Sequence, residues 1–111
     1  MELWDCNCWY GVPRTPPPAP AKTVDILLAE MERAGIHRAV VRNAAQWERS
    51  PEVANPILTH DCAADERLLA SWAILPPQTG ELGTVAEFVD AMRESGVWAL
   101  WAYPEKHRYV L

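Results

Sequence analysis

Hydrophobic and polar positions along this chain switch repeatedly between a period of two and a period near 3.6, and each switch marks an expected boundary between strand and helix. Residues 5–11 read Asp-Cys-Asn-Cys-Trp-Tyr-Gly and predict a first strand, with Asp5, Asn7 and Trp9 on one face and Cys6, Cys8 and Tyr10 on the other. In the next segment, 12–22, Pro13, Pro16, Pro17, Pro18 and Pro20 rule out regular structure and predict a stiff, extended loop. Val24, Leu27, Leu28 and Met31 then fall at i, i+3, i+4 and i+7 between Thr23, a helix N-cap, and Gly35, a helix stop. This is an amphipathic helix.

Residues 36–42 enter a strand at once, and Ala39-Val40-Val41 reads as its centre, buried on both faces as in a parallel sheet. Residues 43–49 predict a loop. Ser50-Pro51 and Asn55-Pro56 each pair a capping residue with proline at the first helical position, so a second helix starts at one of them and runs to about Ala64. A third strand spans 68–75, ended by Pro76-Pro77. Thr84-Val85-Ala86-Glu87 is a capping box opening a third helix with an apolar stripe of Val85, Phe88, Val89 and Met92; Gly96 stops it and 97–103 form a fourth strand. The order β-α-β-α-β-α-β predicts an α/β fold with a parallel sheet, which both a flavodoxin-like open sheet and the first half of a (β/α)8 barrel satisfy.

Composition narrows the possibilities. A chain of 111 residues, 50% hydrophobic and 23% charged, is one domain with a core of its own rather than a disordered segment. The net charge of -5 without a basic block argues against nucleic acid or an anionic membrane as partner. The start lacks a basic leader and an apolar run, and no stretch is long enough to span a bilayer, so a cytoplasmic setting is expected. Cys6, Cys8 and Cys62 are odd in number, and two residues on one strand pair poorly, which predicts reduced thiols buried as small apolar groups.

Four stretches together carry a family resemblance: Asp5-x-Asn7-x-Trp9-x-Gly11, residues 27–41 through Ala34-Gly35-Ile36, residues 67–76, and Gly96-Val97-Trp98-Ala99-Leu100-Trp101-Ala102-Tyr103-Pro104. Over nearly its whole length, 1–111, the chain resembles the amidohydrolase-related metal-dependent hydrolases. The resemblance implies a single partial-barrel domain, hydrolysis or non-oxidative decarboxylation of a small organic acid or ester, and a divalent metal in the intact fold. A full barrel takes about 250 residues, so four strands are its first half.

The family's first strand carries Asp-x-His-x-His, with both histidines on metal, and here those positions hold Asn7 and Trp9. Tryptophan is no ligand, and Asn7 offers a hard amide oxygen suited at most to magnesium or calcium, so no metal is expected on this chain by itself. Barrel function sits at the C-terminal strand ends. There Asp5 and His107 stand as catalytic residues, Asn7 as metal or substrate ligand, and Trp9, Trp47 and Tyr103 as substrate contacts. His107 lies in Pro104-x-x-His107-x-Tyr109, which matches a family loop, and an imidazole there suits a proton donor or a substrate hydrogen bond. Trp101 stands where the family commonly has a basic residue, which predicts an apolar ligand without a charged clamp. His37, at the start of the second strand where a barrel keeps stability residues, and His60, on a helix beside Asp61, read as non-functional. The alternative is a half-barrel without chemistry, serving as a binding module; in either case exposed sheet edges predict a homo-oligomer or a complementary second half.

Overall fold

The computed structural model describes residues 1–110. Its elements are β1 (Trp4–Tyr10), α1 (Val24–Ala34), β2 (Arg38–Asn43), α2 (Ala45–Glu48), α3 (Pro51–Cys62), β3 (Leu68–Ile74), α4 (Val85–Glu94), β4 (Ala99–Ala102) and α5 (Pro104–His107), with a 3-10 turn at Pro77–Thr79. All strands are parallel and lie in sequential order β1-β2-β3-β4. That order decides between the two folds left open by the pattern, because a flavodoxin-like sheet places its first strand internally. The sheet is the curled half of a β/α barrel. None of the described helices is long and apolar enough to cross a membrane.

The predicted caps form. Thr23 accepts from Ile26 N, and Gly35 closes α1 at φ 73, a left-handed conformation that glycine adopts without a Cβ penalty. Thr84 and Glu87 form the capping box of α4. Of the two proposed starts for α3, Ser50 is the cap, accepting from Glu52 N, and Asn55 lies inside the helix. The expected loop at 43–49 contains the single turn α2, held because Asn43 Oδ1 accepts from Ala45 N at 2.7 Å and Gln46 Oε1 accepts from Asn43 N at 2.9 Å. β4 is shorter than the 97–103 expected, and α4 buries none of its stripe fully, with Val85 exposed.

The core lies between the sheet and its covering helices. Cys8, Tyr10, Ala39, Val41, Leu68 and Ala70 face Leu27 and Met31 of α1 and Leu58 and Cys62 of α3. Met31 and Leu58 are essentially fully buried, each contributing about 1.5–3 kcal/mol relative to exposure. Val40, Arg42, Leu69 and Ser71 alternate with these residues and belong to the other face, the inside of the half-barrel.

Two irregularities position the site. The β1–β2 register aligns Asp5 with Ala39 but Cys8 with Val41, so β1 carries one extra residue between them. The bulge corrects the simple alternation: Asp5 aligns with a helix-facing residue instead of sharing a face with Asn7, and Cys6 is exposed while Cys8 and Tyr10 are buried. Asp5 Oδ1 accepts from Asn7 N at 2.8 Å and satisfies backbone within the bulge.

The second irregularity is on β3, which pairs with β2 up to Ala70 and with β4 from Ser71 onward. Side chains finish the edge left towards β2. Gln46 Nε2 donates to Ser71 O at 2.9 Å and to Asn55 Oδ1 at 3.0 Å, while Asn55 donates to Ala73 O and accepts from Ala73 N, both at 2.9 Å. Every side-chain nitrogen and oxygen of the two buried amides has at least one partner, the condition under which a buried polar network stabilises. β2 and β3 are thereby splayed at their C-terminal ends, where Arg42 stands.

Candidate functional site at the strand ends

Arg42 is the penultimate residue of β2 and is half-buried at the C-terminal end of the sheet. Its Nη2 donates to Asn7 Oδ1 on β1, and its Nη1 donates to the Tyr103 hydroxyl at 3.4 Å, just past β4. The guanidinium lies 4.3 Å from the ring centre of Trp101 and 5.7 Å from that of Trp47. Cation–π contacts of this kind contribute about 0.5–2 kcal/mol each, more as water is excluded. Among the described residues no carboxylate forms an ion pair with Arg42.

An aromatic chain surrounds this cation. Trp9 meets Trp47 edge-on at 5.5 Å, Trp47 meets Tyr103 at 5.7 Å, Tyr103 meets His107 at 5.8 Å, and His107 stacks on Tyr109 at 6.5 Å. Arg42 Nε, Trp101 Nε1 and both ring nitrogens of His107 are buried without a hydrogen-bond partner in the protein. Each such group forgoes about 1–3 kcal/mol, and here they are gathered in one place at the strand ends. Burial holds the Tyr103 phenol above its ordinary pKa, against the opposing pull of Arg42, so it stays protonated and keeps an O–H to donate.

Next to this cluster lies a cleft of about 670 Å³ between the Trp9–Trp47 pair, Glu48, Lys106 and the Pro-rich loop. The loop is not simply extended, since Gly11 N donates to Ala21 O at 2.8 Å and ties its two ends together. Gly11 sits at φ +100, and a Cβ there would stand 3.2 Å from Ala44 Cβ, so this turn requires glycine. Arg14 N donates to Glu48 Oε1 at 3.4 Å and draws the loop over α2.

The strand-end residues singled out in the sequence thus separate. Asn7, Trp9, Trp47, Tyr103 and His107 form one connected group, and His107 is in the short helix α5 rather than a loop. Asp5 lies behind the bulge. His37 Nδ1 accepts from Leu3 N at 2.9 Å, a structural bond at the opposite end of the sheet, and His60 is exposed. Sequence reasoning did not single out Arg42, which the fold sets as a cation among these strand-end residues. Its signal was a lone arginine closing the apolar run Ala39-Val40-Val41 at the functional end of a barrel strand.

The residues here do not suit a divalent cation. Asn7 Oδ1 already accepts from a guanidinium, whose charge would repel a metal on the same oxygen, and Trp9 has no lone pair to give. Among the described residues no three His, Cys, Asp or Glu side chains stand close enough to share an ion. The thiols lie elsewhere: Cys6, Cys8 and Cys62 are unpaired, and burial pushes Cys8 up to about 11 and Cys62 up to about 12. Tyr10 donates to Asp61 Oδ2 at 2.5 Å, and burial with that bond raises its pKa well above the usual phenol range.

No protein-family model, no curated protein and no solved structure matches this chain. The amidohydrolase resemblance therefore rests on the quoted residues alone.

Proposed function

We propose that this chain is an amidohydrolase-like half-barrel whose strand-end face binds a small organic acid or ester, working in the cytoplasm as part of a hydrolase or decarboxylase. The observation that carries the proposal is the connected group Asn7–Arg42–Tyr103–His107 beside a cleft walled by Trp9 and Trp47, all at the strand ends where β/α barrels hold their ligands. In this reading the indoles take the apolar body of the ligand, Tyr103 and His107 supply hydrogen bonds, and His107 is the group placed to pass a proton.

A second reading, a binding module without turnover, is favoured by one specific contact. The Asn7 oxygen at the family's metal position is engaged by Arg42, so the chain's own residues provide no evident means of activating water there. Incubation of the purified protein with panels of small esters and lactones, with and without added zinc, separates the two. Turnover that disappears in His107→Ala supports the hydrolase; binding without turnover supports the module. If no panel member alters tryptophan fluorescence or is consumed, the strand-end face is not a ligand site.

A further inference from the structure

We propose that Arg42, together with the Trp101 indole N–H, is a metal-independent receptor for the carboxylate of an aryl organic acid. This rests on the strand-end face being the ligand-binding surface, and it assigns the ligand's charge and the atoms that read it.

Four observations lead to it. Arg42 is a permanent cation with no carboxylate partner among the described residues, and whereas the other arginines without an ion pair, Arg49, Arg93 and Arg108, are exposed to water, Arg42 is half-buried. Its bonding is incomplete: Nη2 is on Asn7, Nη1 makes only a 3.4 Å contact to Tyr103, and Nε is buried with no acceptor. Trp101 packs against the guanidinium, its ring centre 4.3 Å from the central carbon, and the edge that suits a carboxylate is the side-on fork of Nε and Nη2, since Nη2 gives only one of its two N–H groups to Asn7. Trp101 Nε1, which can only donate, is likewise buried and unbonded in that stack.

The surroundings select the rest of the ligand. One arginine balances one negative charge, so a monocarboxylate fits better than a phosphate dianion. The indoles of Trp47 and Trp101 offer flat apolar surface to a planar ring. A metal has no part, because the Asn7 oxygen that would hold it is bound to Arg42 instead. Nε is buried, so docking shifts the side chains packed on the guanidinium, and because Trp47 and Trp101 both contact it, tryptophan fluorescence reads the event.

The test compares benzoate with benzamide, the same ring without the charge, titrated into the full chain with and without EDTA and followed by fluorescence and calorimetry. Benzoate is expected to bind at least about tenfold more tightly, as one charge-assisted fork supplies. Arg42→Gln is expected to remove about 10- to 100-fold of benzoate affinity and much less of benzamide affinity, and Trp101→Phe, which keeps a ring but loses the N–H, a few-fold. The comparison of the two ligands uses unaltered protein, so it stands even if Arg42→Gln fails to fold. Equal affinity for acid and amide, benzoate affinity intact in Arg42→Gln, or loss of binding on chelation each overturns the receptor. If benzamide binds as well as benzoate and both are lost in Trp47→Ala, the strand-end surface survives while the carboxylate receptor falls. If neither binds, while the ester panel does alter fluorescence, the receptor alone falls; if nothing binds, both fall.

Discussion

Asn7 and Arg42 are joined across the β1–β2 pair, the amide oxygen of one accepting from the guanidinium of the other. An amide neutralises nothing, so the bond orients Arg42 while leaving its charge unbalanced. Asn7→Asp supplies the missing carboxylate in place. The variant is expected to raise stability by up to about 1 kcal/mol through an ion pair between exposed position 7 and the half-buried Arg42, and to weaken benzoate binding at least about tenfold by competing for the same donors. Urea unfolding and the fluorescence titration measure the two effects. A stabilised protein that still binds benzoate normally would separate the pair from the ligand site.

Asn55 completes the edge of β3 where β2 leaves it. Asn55→Leu has similar volume but strands the Ala73 N–H and C=O and one acceptor for Gln46, an expected loss of about 3 kcal/mol by urea denaturation. Because Gln46 belongs to the same network, adding Gln46→Leu should cost less in the variant than in the parent.

Gly11 closes the base of the Pro-rich loop at φ +100 against Ala44. Gly11→Ala forces a Cβ into that contact and a left-handed backbone onto alanine, with an expected cost of about 1–3 kcal/mol. The loop forms one wall of the cleft, so ligand-induced fluorescence changes should also shrink. Unchanged stability would show that the turn relaxes freely.

Alkali should unfold the protein through its buried acids. Burial raises Cys8 from 9.0 to about 11 and Cys62 from 9.0 to about 12, so above pH 9 the native chain keeps protons that the unfolded chain releases. Stability is therefore flat below pH 9 with respect to these groups and falls as pH rises beyond it. Urea midpoints from pH 7.5 to 10.5 measure the slope, and Cys62→Ala should flatten it. Native alkylation followed by mass spectrometry should label the exposed Cys6 first, with Cys8 and Cys62 reacting only in denaturant.

β1 and β4 each pair on one side only, and four strands are half of what barrel closure needs. We expect concentration-dependent association of the isolated chain in light scattering. A clean monomer at all concentrations would mean that the exposed edges are adequately blunted without a partner.

Local chemistry was enough to specify most of the elements. Thr23 with Gly35, the Thr84–Glu87 box and the apolar run Ala39-Val40-Val41 act within a few residues of themselves, and each does in the fold what its spacing dictates, while the prolines of 12–22 exclude regular structure but do not foretell that the loop closes on itself. Only the tertiary structure decided the sequential strand order, the bulge that sets Asp5 apart from Asn7, and the splay of β2 from β3 filled by Gln46 and Asn55. It also decided that Arg42, unremarkable on its own strand, meets Trp101 and Tyr103 from another. Periodicity encodes which face of an element is apolar, whereas register and the meeting of strand ends depend on contacts between distant segments, whose free energies no local pattern contains.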